Sequence, residues 1–142
     1  MKKIWINGTF DILHVGHIRI FKYAASLGIV RVGLDTDKRI REKKGESRPY
    51  NSLYDRTEFI SSIKGIDSVV SFDSDSELID RIIEWKPDVM VIGSDYRGKE
   101  IIGSEHIKEI IYYPRSSYST TGLVEKIITE HEKNISSRRV WY

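Results

Sequence analysis

The 142-residue sequence predicts a single-domain α/β protein with a parallel five-stranded sheet. Short apolar segments alternate with longer segments of helical periodicity along most of the chain, and several of the apolar segments end in glycine or polar residues. Hydrophobic residues make up 39% and charged residues 31%, a balance that is ordinary for a globular domain. Because parallel strands need right-handed helical crossovers, we expect a doubly wound, Rossmann-like sandwich.

Each predicted element follows from a local pattern. The strands are runs rich in Ile, Val and aromatic residues at positions 4–6, 29–34, 68–72, 89–92 and 110–113. The predicted helices have apolar residues at helical spacing and cover positions 16–27, 53–63, 77–85 and 120–128, with Thr120 or Thr121 as the last N-cap. The charged, irregular segment 38–50 predicts a loop. We place the domain at residues 1–130 and treat 131–142 as a C-terminal tail.

Composition excludes several classes of protein and site. The 23 Lys and Arg against 21 Asp and Glu argue against a protein built to coat nucleic acid. The chain has no cysteine, which excludes a thiolate nucleophile and a cysteine-based zinc site. No apolar run approaches the roughly 20 residues that span a bilayer, and no signal-peptide core follows the first residues. We therefore expect a cytoplasmic protein that binds neither nucleic acid nor membrane.

The segment from Gly8 to His17 leaves the first strand and opens a helix. Gly8 lets the backbone approach a ligand, and the helix N-terminus offers free amides and the positive end of a dipole. His14 and His17 flank Gly16, and two imidazoles beside such a helix end donate hydrogen bonds to phosphate oxygens. Two histidines at this spacing alone are as consistent with a chance pair near a turn, or with a metal pair. Their place after a strand favours a phosphate site instead.

Two segments carry a family resemblance. Gly-Thr-Phe-Asp-Ile-Leu-His-Val-Gly-His, at 8–17, resembles the His-x-Gly-His signature of the cytidylyltransferase-like nucleotidyltransferases. Pro-Arg-Ser-Ser-Tyr-Ser-Thr-Thr, at 114–121, is similar to the second signature of that superfamily. The resemblance covers nearly the whole chain. It implies a Rossmann-like fold and transfer of a nucleoside monophosphate from ATP or CTP, with release of pyrophosphate.

The resemblance also implies roles for individual positions. The catalytic residues are His14, His17, Lys44 and Arg115. The residues expected to bind the nucleotide are Gly8, Thr9, Phe10, His14, Gly16, His17, Gly93, Asp95, Arg115, Ser119, Thr120 and Thr121. The residues expected to bind the acceptor are Asp11, Lys44, Arg56 and Tyr96.

Several of these positions have a structural alternative. Lys43 competes with Lys44 within a charged run, which is usually a solvated face. Arg56 is otherwise a helix-surface residue, Thr120 a plain N-cap and Asp11 a polar turn residue. The transfer chemistry implies Mg²⁺ bound mainly through substrate phosphates, and the sequence identifies no protein ligands for it. By resemblance we also expect a homodimer.

Two acceptors remain open. The loop 44–49 with Asn51 and residues 55–56, and segments 93–96 and 100–105, resemble the heptose-phosphate adenylyltransferase domain of ADP-heptose synthase. Segments 97–99 and 112–115 resemble glycerol-3-phosphate cytidylyltransferases, although Arg-Ser-Ser-Tyr departs from their Arg-Thr-Glu-Gly-Ile. We favour a phosphorylated sugar, heptose 1-phosphate, with ATP. The alternatives are glycerol 3-phosphate with CTP and, in another class, a non-catalytic nucleotide-binding regulatory module.

Overall fold

The computed structural model of this protein describes residues 1–114 and 119–136. Its five strands are β1 Lys3–Gly8, β2 Ile29–Asp35, β3 Ser68–Phe72, β4 Val89–Gly93 and β5 Glu109–Tyr113. All neighbouring pairs are parallel, in the order β3-β2-β1-β4-β5. The predicted fold class is confirmed. The strand order reverses between β1 and β4, where open α/β sheets bind their ligands.

Helices connect these strands. Their bounds are α1 Val15–Leu27, α2 Asp37–Lys44, α3 Leu53–Ser61, α4 Asp75–Trp85 and α5 Thr120–Ser136, with short 3₁₀ helices at Ser94–Tyr96 and Ser104–His106. The side chains of Thr36, Ser52 and Ser74 accept the N-terminal amides of α2, α3 and α4, which fixes where these helices begin. Within the described ranges, no helix is both long enough and apolar enough to cross a membrane.

The sheet is covered on both faces, and successive residues of β1 show it. Ile4 and Ile6 belong to a core that includes Phe21 of α1, whereas Trp5 between them packs in a second core against Phe72 and α4. This alternation is the period-two geometry of a strand buried on both sides. Burial of each such side chain contributes about 1.5–3 kcal/mol, so the strand ends that carry the site rest on a rigid base.

Two of our predicted element boundaries were wrong. Segment 38–50 does not form a loop throughout, because α2 occupies its first half. That helix buries one apolar residue, Ile40, so it has almost no apolar periodicity to detect. The last helix continues to Ser136, beyond 128, and Ser119 caps it by accepting the amide of Gly122 at 2.9 Å. The boundary at residue 130 falls inside α5, and the end of the tail, 137–142, lies outside the described residues.

Candidate active site

A cavity of about 560 Å³ opens at the carboxyl ends of the strands, over the switch point between β1 and β4. The segments after β1, β2, β4 and β5 and the N-termini of α1 and α5 line it. It brings together most of the residues predicted from the sequence: Gly8, Thr9, Phe10, Asp11, His14, Gly16, His17, Lys44, Gly93, Asp95, Tyr96, Thr120 and Thr121. The expected convergence of the loops is therefore present.

The two histidines form a reciprocal cap at the start of α1. The main-chain amide of Gly16 donates to His14 Nδ1 at 3.0 Å, and the amide of His14 donates to His17 Nδ1 at 3.1 Å. Their rings stack with centroids 3.8 Å apart and planes 25° from parallel. The cap therefore fixes the orientation of both imidazoles with backbone hydrogen bonds.

The same bonds assign the tautomers of the pair. A nitrogen that accepts an amide hydrogen bond carries no proton, so in neutral His14 and His17 the proton lies on Nε2. Both residues line the cavity. The arrangement supplies two neighbouring N–H donors at a helix N-terminus, which suits the oxygens of a phosphate chain.

The electrostatics of His17 agree with a neutral donor. Burial first, and then repulsion from His14, lower the pKa of His17 from 6.5 to about 4. Its imidazole is therefore uncharged at neutral pH. The site attracts anions through oriented N–H groups of the imidazoles and helix ends, and through lysine and arginine side chains farther along the cavity.

The Phe10 ring packs against His17 of the histidine pair. It adopts a positive φ of 47°, which is uncommon for a residue with a side chain, and its ring meets that of His17 edge-on at 5.4 Å. A Cβ on Gly8 would lie 3.1 Å from the Phe10 ring. Gly8 thus leaves the space that this ring occupies beside the histidines.

Asp11 lines the cavity, and its carboxylate accepts hydrogen bonds from main-chain amides of the protein. It is 3% exposed, and its two oxygens accept the main-chain amides of Tyr50 and Asn51, each at 2.7 Å. The side-chain amide of Asn51 returns a bond to the carbonyl of Asp11 at 2.7 Å. Asp11 therefore ties the loop between α2 and α3 to the loop after β1, and its expected contact with the acceptor stays a prediction.

Arg56 departs from its expected place at the acceptor. Its side chain is fully buried, is not among the residues lining the cavity, and donates to the carbonyls of Thr9, Asp35 and Asn51 at 2.8–3.1 Å. It also pairs with Asp37 at 2.7 Å. The structure corrects the sequence expectation, because a guanidinium whose donors serve three carbonyls beneath the site positions the surrounding segments.

The other predicted residues divide between the two sides of the cavity. Lys44 lines the β2 side, and on the far side the hydroxyl of Thr120 donates to the carbonyl of Ile12 at 2.7 Å. Ser119 is not among the lining residues, and its hydroxyl accepts the amide of Gly122 in α5. Arg115 lies outside the described residues. The first turn of α5 is therefore bonded directly to the loop that carries the histidines.

The segment after β4 forms a further part of the cavity wall. Gly93, Asp95 and Tyr96 line it, and Tyr96 is nearly half exposed. A Cβ on Gly93 would lie 2.6 Å from Asp95 Oδ1, so a larger residue here would displace the Asp95 carboxylate. All three residues therefore lie at the cavity, where their expected contacts with the nucleotide or the acceptor stay a prediction.

Among the charged and amide side chains of the cavity wall, sequence reasoning missed five. They are Asn7, Asp35, Arg39, Arg48 and Glu100, and Lys43 joins Lys44 in the wall. Asn7 and Asp35 sit at or beside a strand end, a position that could have indicated them. Arg39 and Arg48 lie in the segment that we predicted as a loop, where charged residues are abundant and give no distinguishing signal.

No cluster of three or more acidic, histidine or cysteine residues that could hold a metal is found among residues 1–114 and 119–136. Asp11 and Asp35 already accept amides or an arginine. This donor set fits an ion that is carried by substrate phosphates, as magnesium commonly is.

Comparison with known proteins agrees with this geometry. The family model described as cytidylyltransferase-like matches residues 5–140. The bifunctional protein HldE of Campylobacter concisus is 43% identical over 129 residues, and that of Helicobacter hepaticus is 42% identical over 128. Each alignment covers 89% of this chain, which spans about a quarter of the length of these relatives, 27% and 26% respectively.

A solved structure has the same architecture. The lipopolysaccharide core biosynthesis protein from Thermoplasma volcanium superposes with a TM-score of 0.65 at 26% identity, covering 84% of this chain and 99% of the other. The sequence signatures, the strand order and the cavity agree with the family match over most of the chain. The chain belongs to the cytidylyltransferase-like family of nucleotidyltransferases.

Proposed function

We propose that this chain transfers the adenylyl group of ATP to a phosphorylated sugar, heptose 1-phosphate, and releases pyrophosphate. The observation that carries the proposal is the His14–His17 pair, with both Nδ1 atoms bonded to backbone amides and both Nε2–H donors belonging to cavity-lining rings. Reciprocal capping gives the pair a fixed geometry, which is what a site that stabilises a phosphate chain requires.

The proposed chemistry is a direct displacement. An oxygen of the acceptor phosphate attacks the α-phosphorus of the nucleotide, a new P–O bond forms, and the bond to the bridging α–β oxygen breaks. The electron pair and the charge leave with pyrophosphate. The Nε2–H groups of His14 and His17 and the N-termini of α1 and α5 stabilise that charge. No side chain has to form a covalent intermediate.

Mg²⁺ belongs to this proposal as a cofactor carried mainly by the substrate phosphates. When bound there, the ion neutralises charge on the phosphate chain. The residues of this chain orient the nucleotide through the N-termini of α1 and α5, and Phe10 and Tyr96 form part of the wall around it.

The choice of acceptor rests on similarity. Segment 44–49 and segments 93–96 and 100–105 resemble the heptose-phosphate adenylyltransferase domain of ADP-heptose synthase. The relatives named bifunctional protein HldE, and the solved relative named a lipopolysaccharide core biosynthesis protein, support a sugar phosphate over glycerol 3-phosphate. Because the chain matches about a quarter of the relatives named bifunctional protein HldE, the proposal assigns it one reaction only.

The test is pyrophosphate release from ATP and CTP, each with heptose 1-phosphate, a hexose 1-phosphate and glycerol 3-phosphate. We expect the highest kcat/KM for ATP with heptose 1-phosphate. A maximum for CTP with glycerol 3-phosphate would replace the substrate pair and keep the transfer. If calorimetry detects nucleotide binding while no pair releases pyrophosphate, the chain is a regulatory module and the proposal fails.

Homodimer formation, which rests on the family resemblance, and a cytosolic location, which rests on the sequence, are further parts of the proposal. Ile127, Ile128 and Ile135 on α5 are at least half exposed and offer apolar surface for a second copy. Light scattering at micromolar concentration should give twice the chain mass. A monomer mass at all concentrations would contradict the homodimer.

A further inference from the structure

The cations that line the cavity differ in what they already bind. Arg39 is 5% exposed and donates to Asp35 Oδ1 at 2.8 Å and to Asp75 Oδ1 at 2.6 Å. Its guanidinium also packs over the ring of Phe72 at 5.3 Å. Two carboxylates thus balance Arg39, which leaves little attraction for a ligand anion.

Arg48 is less completely paired: its Nε forms an ion pair with Asp11 but makes no hydrogen bond with it. Its Nε is buried and has no hydrogen-bond partner in the described part of the chain. The carboxylate beside it, Asp11, lies 3.5 Å away and already accepts the amides of Tyr50 and Asn51. A buried donor that makes no hydrogen bond is costly even beside a carboxylate, and Arg48 lines the cavity, where a ligand anion can meet its guanidinium.

The neighbours of Arg48 hold it in place at the wall. Its guanidinium lies over the ring of Tyr50 at 4.8 Å, a cation–π contact that fixes the plane of the group. Asp11 anchors the backbone of the same loop by accepting hydrogen bonds from two of its main-chain amides. The cation is therefore preorganised at the cavity wall, and binding a ligand requires little further ordering.

Lys44 adds a second positive charge to the same region. It lines the cavity at the end of α2, four residues before Arg48 in the sequence. Partial burial first, and then the charge of Arg48, lower the pKa of Lys44, so the two cations are close enough to repel each other. An anion between them relieves that repulsion.

Their side of the cavity identifies the anion. Arg48 and Lys44 follow β2, whereas Thr120 and Thr121 follow β5, and the histidines follow β1 between them. In the proposed function the histidines and the N-terminus of α5 hold the triphosphate. A second phosphate, on the β2 side, then comes from the other reactant.

We propose that Arg48, together with Lys44, binds the phosphate of the acceptor and makes the enzyme require a phosphorylated acceptor. Arg48 takes the role that the family resemblance gave to Arg56, which the structure buries beneath the site. This assignment rests on the proposed function, since it presumes that the histidines hold the nucleotide. The attacking oxygen then belongs to a phosphate held between two cations.

Arg48→Gln tests the assignment, with Arg41→Gln as the matched control. Arg41 is an exposed arginine of α2 that is not among the lining residues, so its substitution removes the same charge nearby. We expect Arg48→Gln to raise the KM of the acceptor about tenfold or more, as loss of a charged hydrogen bond does, with the KM of ATP within about twofold. Arg48→Lys should recover part of the loss. A rise confined to the KM of ATP would overturn the acceptor assignment. Equal acceptor KM values for Arg48→Gln and Arg41→Gln would overturn it as well.

A binding measurement separates this proposal from the transferase activity. Inorganic phosphate titrated into the full chain should shift the NMR signals of the Tyr50 and Asn51 amides, which sit beside Arg48 and Asp11. The shifts should persist in Arg41→Gln and disappear in Arg48→Gln. Persistence in Arg48→Gln would contradict the site even if pyrophosphate is released. Loss of the shifts without any turnover would support the site and contradict the proposed reaction.

Discussion

The main-chain amide of His14 donates to Nδ1 of His17 at 3.1 Å, so one imidazole both caps helix α1 and presents its other nitrogen as a donor. The His17 ring therefore has a structural role through Nδ1 and a proposed chemical role through Nε2–H. Substitution of His17 by asparagine or by glutamine separates these roles. The asparagine oxygen can replace Nδ1 as an acceptor, and the glutamine amide nitrogen can replace Nε2 as a donor.

His17→Asn should keep the cap and lose the phosphate donor. Its side-chain oxygen replaces Nδ1 as the acceptor for the His14 amide, while nothing replaces Nε2–H. We expect kcat to fall about 10²–10³-fold, the typical cost of one donor to developing charge. His17→Gln, whose amide nitrogen reaches toward the Nε2 position, should retain more activity. Steady-state pyrophosphate release checks both, and equal activity of the two variants would contradict the donor role.

The pKa of His17 predicts a pH dependence of stability. The pKa falls from 6.5 to about 4 on folding, so between these values the unfolded chain binds a proton that the folded chain does not. By linkage, the free energy of unfolding rises with pH across this window and levels off above it. Urea unfolding at about pH 4.5 and about pH 7 should show a smaller rise for His17→Asn than for wild type. Parallel changes in both proteins would mean that His17 is not responsible.

Arg56 should matter for stability. Arg56→Met leaves the carbonyls of Thr9, Asp35 and Asn51 without their donor and removes a buried charge from its partners. We expect a loss of about 3 kcal/mol or more in the free energy of unfolding. Asp37→Asn is the comparison, because the Asp37 side chain is 33% exposed and Arg56 keeps its three carbonyl acceptors, so we expect a smaller loss than for Arg56→Met. A stable Arg56→Met protein with a raised acceptor KM would restore the acceptor role.

Thr120 should couple helix α5 to the histidine loop. Thr120→Val preserves the shape and removes the bond from the hydroxyl to the carbonyl of Ile12, 2.7 Å long. The expected loss of stability is about 1 kcal/mol, together with lower kcat because α5 no longer holds its place. Thr121→Val, at an exposed position of the same turn, should leave stability unchanged. Calorimetric unfolding measures both, and identical unfolding curves for the two variants would contradict the coupling.

The sequence was sufficient to predict the sheet, the cavity and the histidine pair. Each of these depends on local pattern: short apolar runs give strands, and Gly8 to His17 follows a strand and opens a helix. Strand ends converge in any doubly wound sheet, so their residues could be assembled without coordinates.

What could not be predicted depends on partners distant in the chain. Arg56 is buried because it meets the carbonyls of Thr9 and Asp35, 47 and 21 residues away. Helix α2 is stabilised in part by the bond from Arg39 to Asp75, 36 residues away, which no local periodicity reports. The family resemblance singled out Arg56, but only the structure shows that its side chain is buried away from the cavity.

The most direct test of the proposed reaction is ³¹P NMR of the chain incubated with ATP, Mg²⁺ and heptose 1-phosphate. The α-phosphate of ATP should appear in a new diphosphate bonded to the sugar, with one pyrophosphate released for each product, and His17→Asn should suppress both signals together. Consumption of ATP without that diphosphate, or no consumption with any phosphorylated acceptor, would contradict nucleotidyl transfer at the His14–His17 site.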